Sequence, residues 1–351
     1  MTTSPPRPRP SPPRPRPSAA APTAYLVDRL LPRTPGRWLR TTAWASLVAN
    51  SLLVLTGGLV RLTGSGLGCP TWPRCTDASW TNTPEMGVHG VIEFGNRVLT
   101  FLLAAIAILT FLAVWRLRRR HRDLFVLALL MGLGIPLQAV LGGITVLTGL
   151  NPWVVGIHFL VSGVLIALGA VLVTRARRVS LPRVAHAHRP GQVRTDRRVV
   201  RALAAVIAVS TALTVYLGTL VTGTGPHSGD SGEVARHAFD AYLVTRAHVV
   251  PVYVLVLATG AALLGAYTRR WPAAVRRRLV ALSVVLVAQA AVGYYQFFTG
   301  LPVAAVALHL VGAATLVAVS ATTVHTLYAV SAPAPLAPQG AAAVREPERR
   351  R

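Results

Sequence analysis

The sequence predicts an all-α integral membrane protein, with eight transmembrane helices arranged as two homologous four-helix bundles. The prediction depends on long apolar runs, a one-sided charge distribution and an internal repeat. The 351-residue chain is 52% hydrophobic and only 13% charged, whereas soluble proteins carry about a quarter charged residues. Several runs of about 20 residues almost lack charge, which is the length that crosses a bilayer as an α-helix. Membrane strands would show a period-2 alternation instead.

The apolar runs predict the limits of the spans and of the larger regions. Eight spans are expected at 42–62, 89–115, 124–148, 153–174, 200–222, 241–267, 279–299 and 302–328. The regions are a disordered Pro/Arg-rich arm (1–40), a first bundle (41–174), a basic linker (175–199), a second bundle (200–328) and a disordered tail (329–351).

The charge distribution predicts the orientation in the membrane. The net charge is +25, and all 36 basic residues are arginines. They concentrate in the two terminal segments and in alternate connections, at 116–122, 174–201 and 268–278. Because cytoplasmic loops carry the excess of basic residues, both termini should be cytoplasmic in a bacterial plasma membrane. Topology therefore explains the charge, and a nucleic-acid partner is not expected.

An internal repeat predicts the two-bundle arrangement. QAVLGGITVLTGLNPWVVGIH (138–158) aligns without a gap with QAAVGYYQFFTGLPVAAVALH (289–309), at a constant separation of 151 residues. GGLVRLTGSG (57–66) also resembles GTLVTGTG (218–225) when a two-residue gap is allowed. The repeats are parallel, since four spans return the chain to its starting side. Cofactors of such bundles lie between facing helices.

Three histidines are predicted to lie about 10 Å inside the membrane, counted at 1.5 Å per residue. Each of them, His158, His248 and His309, stands about two helical turns from the outer end of its span. Ionisable groups at that depth usually face a bundle interior. One interpretation is a hydrogen-bonded histidine without a ligand, and the other is an iron ligand. We expect His248 and His309 to clamp one six-coordinate haem. The remaining histidines are predicted to be solvated, namely His121, His186, His188, His227, His237 and His325, with His89 treated separately below.

The first bundle has one deep histidine where the second has two. Counting back one repeat from His248 reaches the Asn96–Arg97 position and not His89. Asparagine is a poor iron ligand, so His158 should hold a haem whose opposite face is more open, as suits a substrate. His89 lies two turns from Asn96 on the same helix face, and it remains an alternative ligand if the start of span two unwinds or tilts.

Glu93 is the strongest candidate for a catalytic group, because a carboxylate below the membrane surface is costly. One interpretation is an i,i+4 ion pair with Arg97. The other is a proton acceptor, or a stabiliser of positive charge, beside a reacting haem carbon. Arg97, and Arg246 in the second bundle, are predicted to meet haem propionates. Cys69 and Cys75 share one outer loop, where they are either a disulfide or two free thiols.

These motifs resemble a known family. TGSGLGCPTWPRC (63–75), IEFGNR (92–97) and QAVLGGITVLTGLNPWVVGIHF (138–159) are similar to segments of the haem A synthases, over about residues 42–328. The resemblance implies that a ring methyl of haem O is oxidised to a formyl group, by successive hydroxylations, for cytochrome oxidase biogenesis. It also implies a haem b prosthetic group in the C-terminal bundle and the substrate haem in the N-terminal bundle.

The resemblance assigns roles residue by residue. His248 and His309 become ligands of haem b, and His158 a ligand of the substrate haem. Glu93 becomes the essential acid, and Cys69 and Cys75 become a disulfide. The chain departs from the family's pattern at Asn96, where a histidine usually precedes the arginine, so that either Asn96 or His89 faces the substrate haem.

The expected partners follow from the same resemblance. They are haem O, membrane lipid, an electron donor, a haem O synthase and cytochrome oxidase assembly factors, with a homo-oligomer left open. Two rival functions remain. A bis-histidine cytochrome b that only transfers electrons would explain His248 and His309 but gives Glu93 no role. A transporter with parallel repeats would prefer broken helices, and Gly132, Gly134 and Pro136 interrupt span three.

Overall fold

The computed structural model of the chain describes residues 29–181, 197–227, 229–230, 232 and 234–332. Within these ranges, eight helices are long and apolar enough to cross a membrane, which confirms the predicted class. They are α1 (Arg37–Leu62), α2 (Gly87–Trp115), α3 (Arg122–Leu147), α4 (Pro152–Ser180), α5 (Arg197–Thr224), α6 (Ala241–Thr268), α7 (Ala273–Phe298) and α8 (Val303–Ser331).

Several helices extend beyond the predicted spans into charged sequence. α1 begins at Arg37, inside the predicted arm, and α4 continues to Ser180, inside the predicted linker. Arginines in the last turn of α4 favour this extension, because cations stabilise the negative end of the helix dipole. Three segments lie outside the described residues: the arm to residue 28, residues 182–196, which include His186 and His188, and the tail from residue 333. The disorder predicted for the arm and the tail falls on the first and the last of these segments.

The eight helices pack as two rings of four. In the first ring α1 and α3 each contact α2 and α4, and in the second α5 and α7 each contact α6 and α8. The rings meet where α8 packs against α1 and α4, and where α4 packs against α5. Each ring therefore uses its first and fourth helices for the seam and leaves its second and third helices outside.

The two ends of the bundles differ in packing. We call the end with residues 116–121 and 269–272 the arginine end, and the opposite one, with Cys69 and Cys75, the disulfide end. Buried apolar clusters fill the arginine-end half of both bundles. In the first they include Leu39, Val114, Leu124 and Leu172, and in the second Val200, Leu255, Leu279 and Leu327. The deep histidines lie in the other half.

Loops at the disulfide end join the two bundles. Arg61, in the last turn of α1, donates from Nε to the carbonyl of His227 (2.6 Å) and from Nη2 to the carbonyl of Thr222 (2.6 Å). The N–H of Gly66 donates to the carbonyl of Gly229 (2.8 Å). A Cβ on Gly66 would come within 2.6 Å of that oxygen, so glycine permits the close approach of the two loops.

The turns that precede α4 and α8 have the same conformation. Gly149 and Leu150 have φ values of 59° and 59°, and Gly300 and Leu301 have values of 75° and 60°. These residues are matched by the alignment of 138–158 with 289–309. The left-handed conformation is costly for leucine, and its occurrence at both places supports the structural equivalence of the two segments.

Candidate functional site

The three deep histidines share one environment. In each of His158 (α4), His248 (α6) and His309 (α8), ring atom Nδ1 is buried without a hydrogen-bond partner. Each ring also lies against a glycine of the neighbouring helix, which leaves room for it. A Cβ added to Gly142 would lie 3.5 Å from Cε1 of His158. A Cβ added to Gly218 would lie 3.2 Å from Cε1 of His248, and one added to Gly293 would lie 3.6 Å from Cε1 of His309.

A glutamine fixes the backbone next to two of these histidines. Gln138 donates from Nε2 to the carbonyl of His158, and Gln289 donates from Nε2 to the carbonyl of His309, each at 3.2 Å. The two contacts join α3 to α4 and α7 to α8 in the same way. The repeat in the sequence therefore corresponds to a repeated arrangement of side chains.

Asn96 occupies the place in the first bundle that His248 occupies in the second. A Cβ added to Gly57 would lie 3.9 Å from Nδ2 of Asn96. In the same way, the ring of His248 lies against Gly218. Gly57 and Gly218 begin the two matching segments GGLVRLTGSG and GTLVTGTG. The Oδ1 atom of Asn96 is buried and has no hydrogen-bond partner.

His89 has a different role. Its Nδ1 shares a hydrogen bond of 2.9 Å with Oγ of Ser65, which is fully buried. The helix is continuous from Gly87, so span two is not unwound at its start, and the role of His89 as an alternative ligand stays a prediction. Of the two residues considered, Asn96 is the one that matches the position of His248.

Glu93 and Arg97 form the expected i,i+4 ion pair, which is buried. Arg97 donates to Oε1 of Glu93 from Nε (3.1 Å) and from Nη2 (2.5 Å). The backbone N–H of Cys69 donates to Oε2 at 2.7 Å. Glu93 is only 5% exposed, and these three donors compensate the loss of water around the carboxylate.

Arg97 binds the loop that contains the two cysteines. Its Nη1 donates to the carbonyls of Thr71 (3.0 Å) and Arg74 (3.1 Å), and its Nη2 to that of Cys69 (2.9 Å). Together with the bonds to Glu93, these contacts use all five N–H donors of a guanidinium group. In this arrangement the guanidinium has no N–H left over, and the contact of Arg97 with a haem propionate stays a prediction.

A disulfide closes this loop, as the resemblance implied. Cys69 and Cys75 are bonded, with their Cα atoms 4.5 Å apart, and both are fully buried. Trp72 packs on α3, where a Cβ on Gly143 would come within 2.4 Å of its ring. We call residues 68–75 the disulfide cap, since they cover the disulfide end of the first bundle.

The second bundle has different residues at the corresponding positions. Tyr294 stands where the alignment has Gly143, so that the surface against which Trp72 packs is absent there. At the separation that pairs Asn96 with His248, Glu93 corresponds to Thr245 and Arg97 to Val249. Among the residues that the structure describes, only the first bundle therefore has the buried ion pair and the cap.

Arg246 lies at the surface of the second bundle. Its guanidinium donates to the hydroxyl of Tyr242 and stacks over that ring at 4.1 Å. This contact places the side chain one turn from the helix start and two residues from His248. The propionate contact of Arg246 stays a prediction.

Two histidines that were predicted to be solvated are instead in contacts between the bundles. His237 is 8% exposed and lies against the Trp153 ring, with centroids 4.4 Å apart. Burial and the nearby charge of Arg61 lower the pKa of His237. His325, on α8, accepts a hydrogen bond of 3.1 Å from Nε of Arg175 on α4. The predictions for both were wrong, because neighbours distant in sequence decide their burial.

The deep histidines fit a haem better than a bare metal ion. Within the part of the chain that the structure describes, no three His, Cys, Asp or Glu side chains converge on one point. A haem iron needs only one or two protein ligands, because the porphyrin supplies the others. Imidazoles with a buried, unpartnered Nδ1, each beside a glycine of the neighbouring helix, suit that requirement.

Comparison with known proteins identifies a family that this chain matches. The sequence profile of the COX15-CtaA family, described as cytochrome oxidase assembly protein, matches residues 40–226, which are just over half of the chain. The match covers the first bundle, the disulfide cap and α5.

Three curated relatives carry the name "Heme A synthase". The protein of Halalkalibacterium halodurans is 32% identical over 141 residues, which are 40% of this chain and 47% of that protein. The protein of Bacillus pumilus is 38% identical over 136 residues, which are 36% of this chain and 42% of that protein. The protein of Lysinibacillus sphaericus is 33% identical over 139 residues, which are 39% of this chain and 43% of that protein. The matched stretch spans less than half the length of each of these relatives.

Proposed function

Since the chain belongs to the COX15-CtaA family of cytochrome oxidase assembly proteins, we propose that it acts as a haem A synthase. The reaction is the oxidation of a ring methyl group of haem O to a formyl group by successive hydroxylations. It takes place in the plasma membrane, with both termini in the cytoplasm, and its product serves cytochrome oxidase biogenesis.

The difference between the two bundles is the observation that carries this proposal. Both contain the Gln–His contact at the disulfide end. Only the first adds a buried carboxylate, Glu93, and a covering loop. A protein that only transfers electrons between two haems has no use for these additions, whereas an enzyme needs one site for its substrate and one for its cofactor.

In the second bundle, His248 and His309 hold haem b through their imidazole nitrogens. When bound, haem supplies one-electron redox chemistry at its iron. The protein orients the ligands: Gln289 fixes the backbone of His309, and Gly218 leaves space for the ring of His248.

In the first bundle, His158 holds haem O and the disulfide cap closes the end of the site. Trp72 and the buried cysteines exclude water there, which strengthens the electrostatic effect of a fixed charge. Three donors occupy the carboxylate of Glu93, and a carboxylate offers about four acceptor positions. The remaining position lets Glu93 accept a proton or stabilise positive charge beside the ring methyl.

The partners are proposed from the reaction. A haem O synthase would supply the substrate, an electron donor would supply reducing equivalents, and assembly factors would accept the product. The apolar helix faces contact membrane lipid and suit the hydrocarbon tail of haem O. A homo-oligomer is compatible with the lipid-facing surfaces of the outer helices.

The test is to identify the bound haems. The full-length protein is purified from cells that also make haem O, and its haems are extracted with acidic solvent and separated by chromatography and mass. We expect haem b together with haem O, a hydroxylated intermediate or haem A. Haem b alone would favour the electron-transfer cytochrome, and no haem at all would contradict both functions.

A further inference from the structure

We propose that Asn96 leaves one axial position of the haem in the first bundle without a protein ligand. The first haem would then have one protein ligand, His158, whereas the second would have two, His248 and His309. This inference rests on the proposed function and specifies how the substrate site differs from the cofactor site.

The equivalence of Asn96 and His248 is the first step of the argument. Both side chains stand on the second helix of their bundle and face the glycine that begins a matching segment of the first helix. In the second bundle this position directs an imidazole toward the partner histidine on the fourth helix. In the first bundle the same position carries an amide, whose Nδ2 would lie 3.9 Å from a Cβ on Gly57.

The second step is that an amide does not replace the imidazole as an iron ligand. Haem iron in proteins is bound by His, Cys, Met or Tyr, and neutral amide oxygens suit hard cations instead. Asn96 therefore presents a polar group without occupying the coordination position.

The third step concerns the neighbouring side chains of α2 that might substitute. His89 is two helical turns away and shares a hydrogen bond with Ser65. Both carboxylate oxygens of Glu93 accept hydrogen bonds from Arg97 and from Cys69 N–H. His89 thus stands about 10 Å along the helix from Asn96. The Glu93 carboxylate is held by Arg97 and by the Cys69 N–H, so neither side chain takes the place of the imidazole.

The buried, unpartnered Oδ1 of Asn96 indicates what the open position takes. A buried carbonyl oxygen without a partner is costly, and a ligand that carries an O–H or N–H group would satisfy it. Water is the smallest such ligand, and the polarity of a distal pocket decides which ligand it takes.

The experiment measures coordination directly, in the full-length protein that contains both haems. Electron paramagnetic resonance reports the spin state of each ferric haem, and carbon monoxide is the probe for an open position on each ferrous haem. We expect one high-spin and one low-spin haem, with carbon monoxide bound by about half of the total. Asn96→His should convert the high-spin signal to low spin and reduce carbon monoxide binding to near zero. His89→Gln should leave both signals unchanged.

The outcomes separate this inference from the proposed function. Two low-spin haems in the unmodified protein, no binding of carbon monoxide, or an unchanged spectrum in Asn96→His would each overturn it. Loss of the high-spin signal in His89→Gln would show that His89 controls the site and would overturn it as well. If haem O or its products are absent from the extract, the proposed function fails instead.

Discussion

The two bundles share one plan at the arginine end and differ at the disulfide end. Both fill the arginine-end half with buried leucines, valines and alanines. At the disulfide end, Asn96 corresponds to His248, Glu93 to Thr245 and Gly143 to Tyr294. The first bundle has a loop closed by a disulfide, and the second has an aromatic pair, with the hydroxyls of Tyr253 and Tyr294 3.4 Å apart.

This difference shows where the fold is determined and where the chemistry is determined. Dispersion and close packing hold membrane helices together, and the arginine-end clusters supply both. The other half is free to vary because glycines, and not large packed side chains, face its histidines. One bundle can therefore keep a cofactor while its counterpart accommodates a substrate.

The largest expected effect comes from removing one matched histidine from each bundle. His309→Ala should lose nearly all low-spin haem b, because an iron ligand is missing. His158→Ala should keep haem b and lose haem O and its products. Visible and paramagnetic spectra of the purified variants, with extracted haems, provide the measurement. His121→Ala, at the arginine end, is the control, and an unchanged spectrum in His309→Ala would contradict the pairing in the second bundle.

The next effect tests the carboxylate that only the first bundle has. Glu93→Gln should lower haem A production by about 100-fold or more, the range for loss of an acid–base group, while haem b content stays the same. Glu85→Gln, an exposed carboxylate before α2, is the matched control. Normal haem A production by Glu93→Gln would remove this residue from the mechanism.

A smaller effect is expected from the two equivalent glycines. In Gly218→Ala the new methyl would lie 3.2 Å from Cε1 of His248, so the ring must shift, at a cost of about 1–3 kcal/mol. In Gly57→Ala the nearest atom is Nδ2 of Asn96 at 3.9 Å, an ordinary contact. The low-spin signal of haem b should therefore move in Gly218→Ala and stay in Gly57→Ala. Equal spectra in the two variants would argue against the equivalence.

The smallest effect concerns the contact between the bundles at His237. Burial, and then the charge of Arg61, lower the pKa of this imidazole below its ordinary value of 6.5. The neutral ring therefore stabilises the fold fully above about pH 6.5, and this contribution falls as the pH decreases toward the lowered pKa, by at most about 1.4 kcal/mol per pH unit. Thermal unfolding at several pH values should show a weaker acid dependence in His237→Gln than in the unmodified protein. His121→Gln should keep the original dependence, and identical slopes for all three proteins would refute this role.

The spans and the three deep histidines were predictable, because a membrane requires long apolar helices and makes polar exceptions visible. The i,i+4 pairing of Glu93 with Arg97 was also predictable from helix geometry. The other partners of Arg97 were not, since Thr71 and Cys69 offer backbone carbonyls and any residue type could do so.

Burial in the loops was equally hidden from the sequence. His237 is covered by Trp153 and Gly223, from helices distant in the chain, and no periodicity predicts that contact. The glycines were the available signal that we did not use. The first repeat reads Gly142-Gly143 where the second reads Gly293-Tyr294, which marks a position where only one bundle needs room for a covering loop.

The glycine opposite residue 96 has an evolutionary consequence. Gly57 leaves a slot in which a side chain can change without moving the helices, as Gly218 does beside the larger imidazole of His248. Codons for asparagine and histidine differ by one nucleotide. A lineage can therefore switch the first site between an amide and an imidazole by a single point mutation, and relatives that carry either residue are expected to keep a glycine at the position of Gly57.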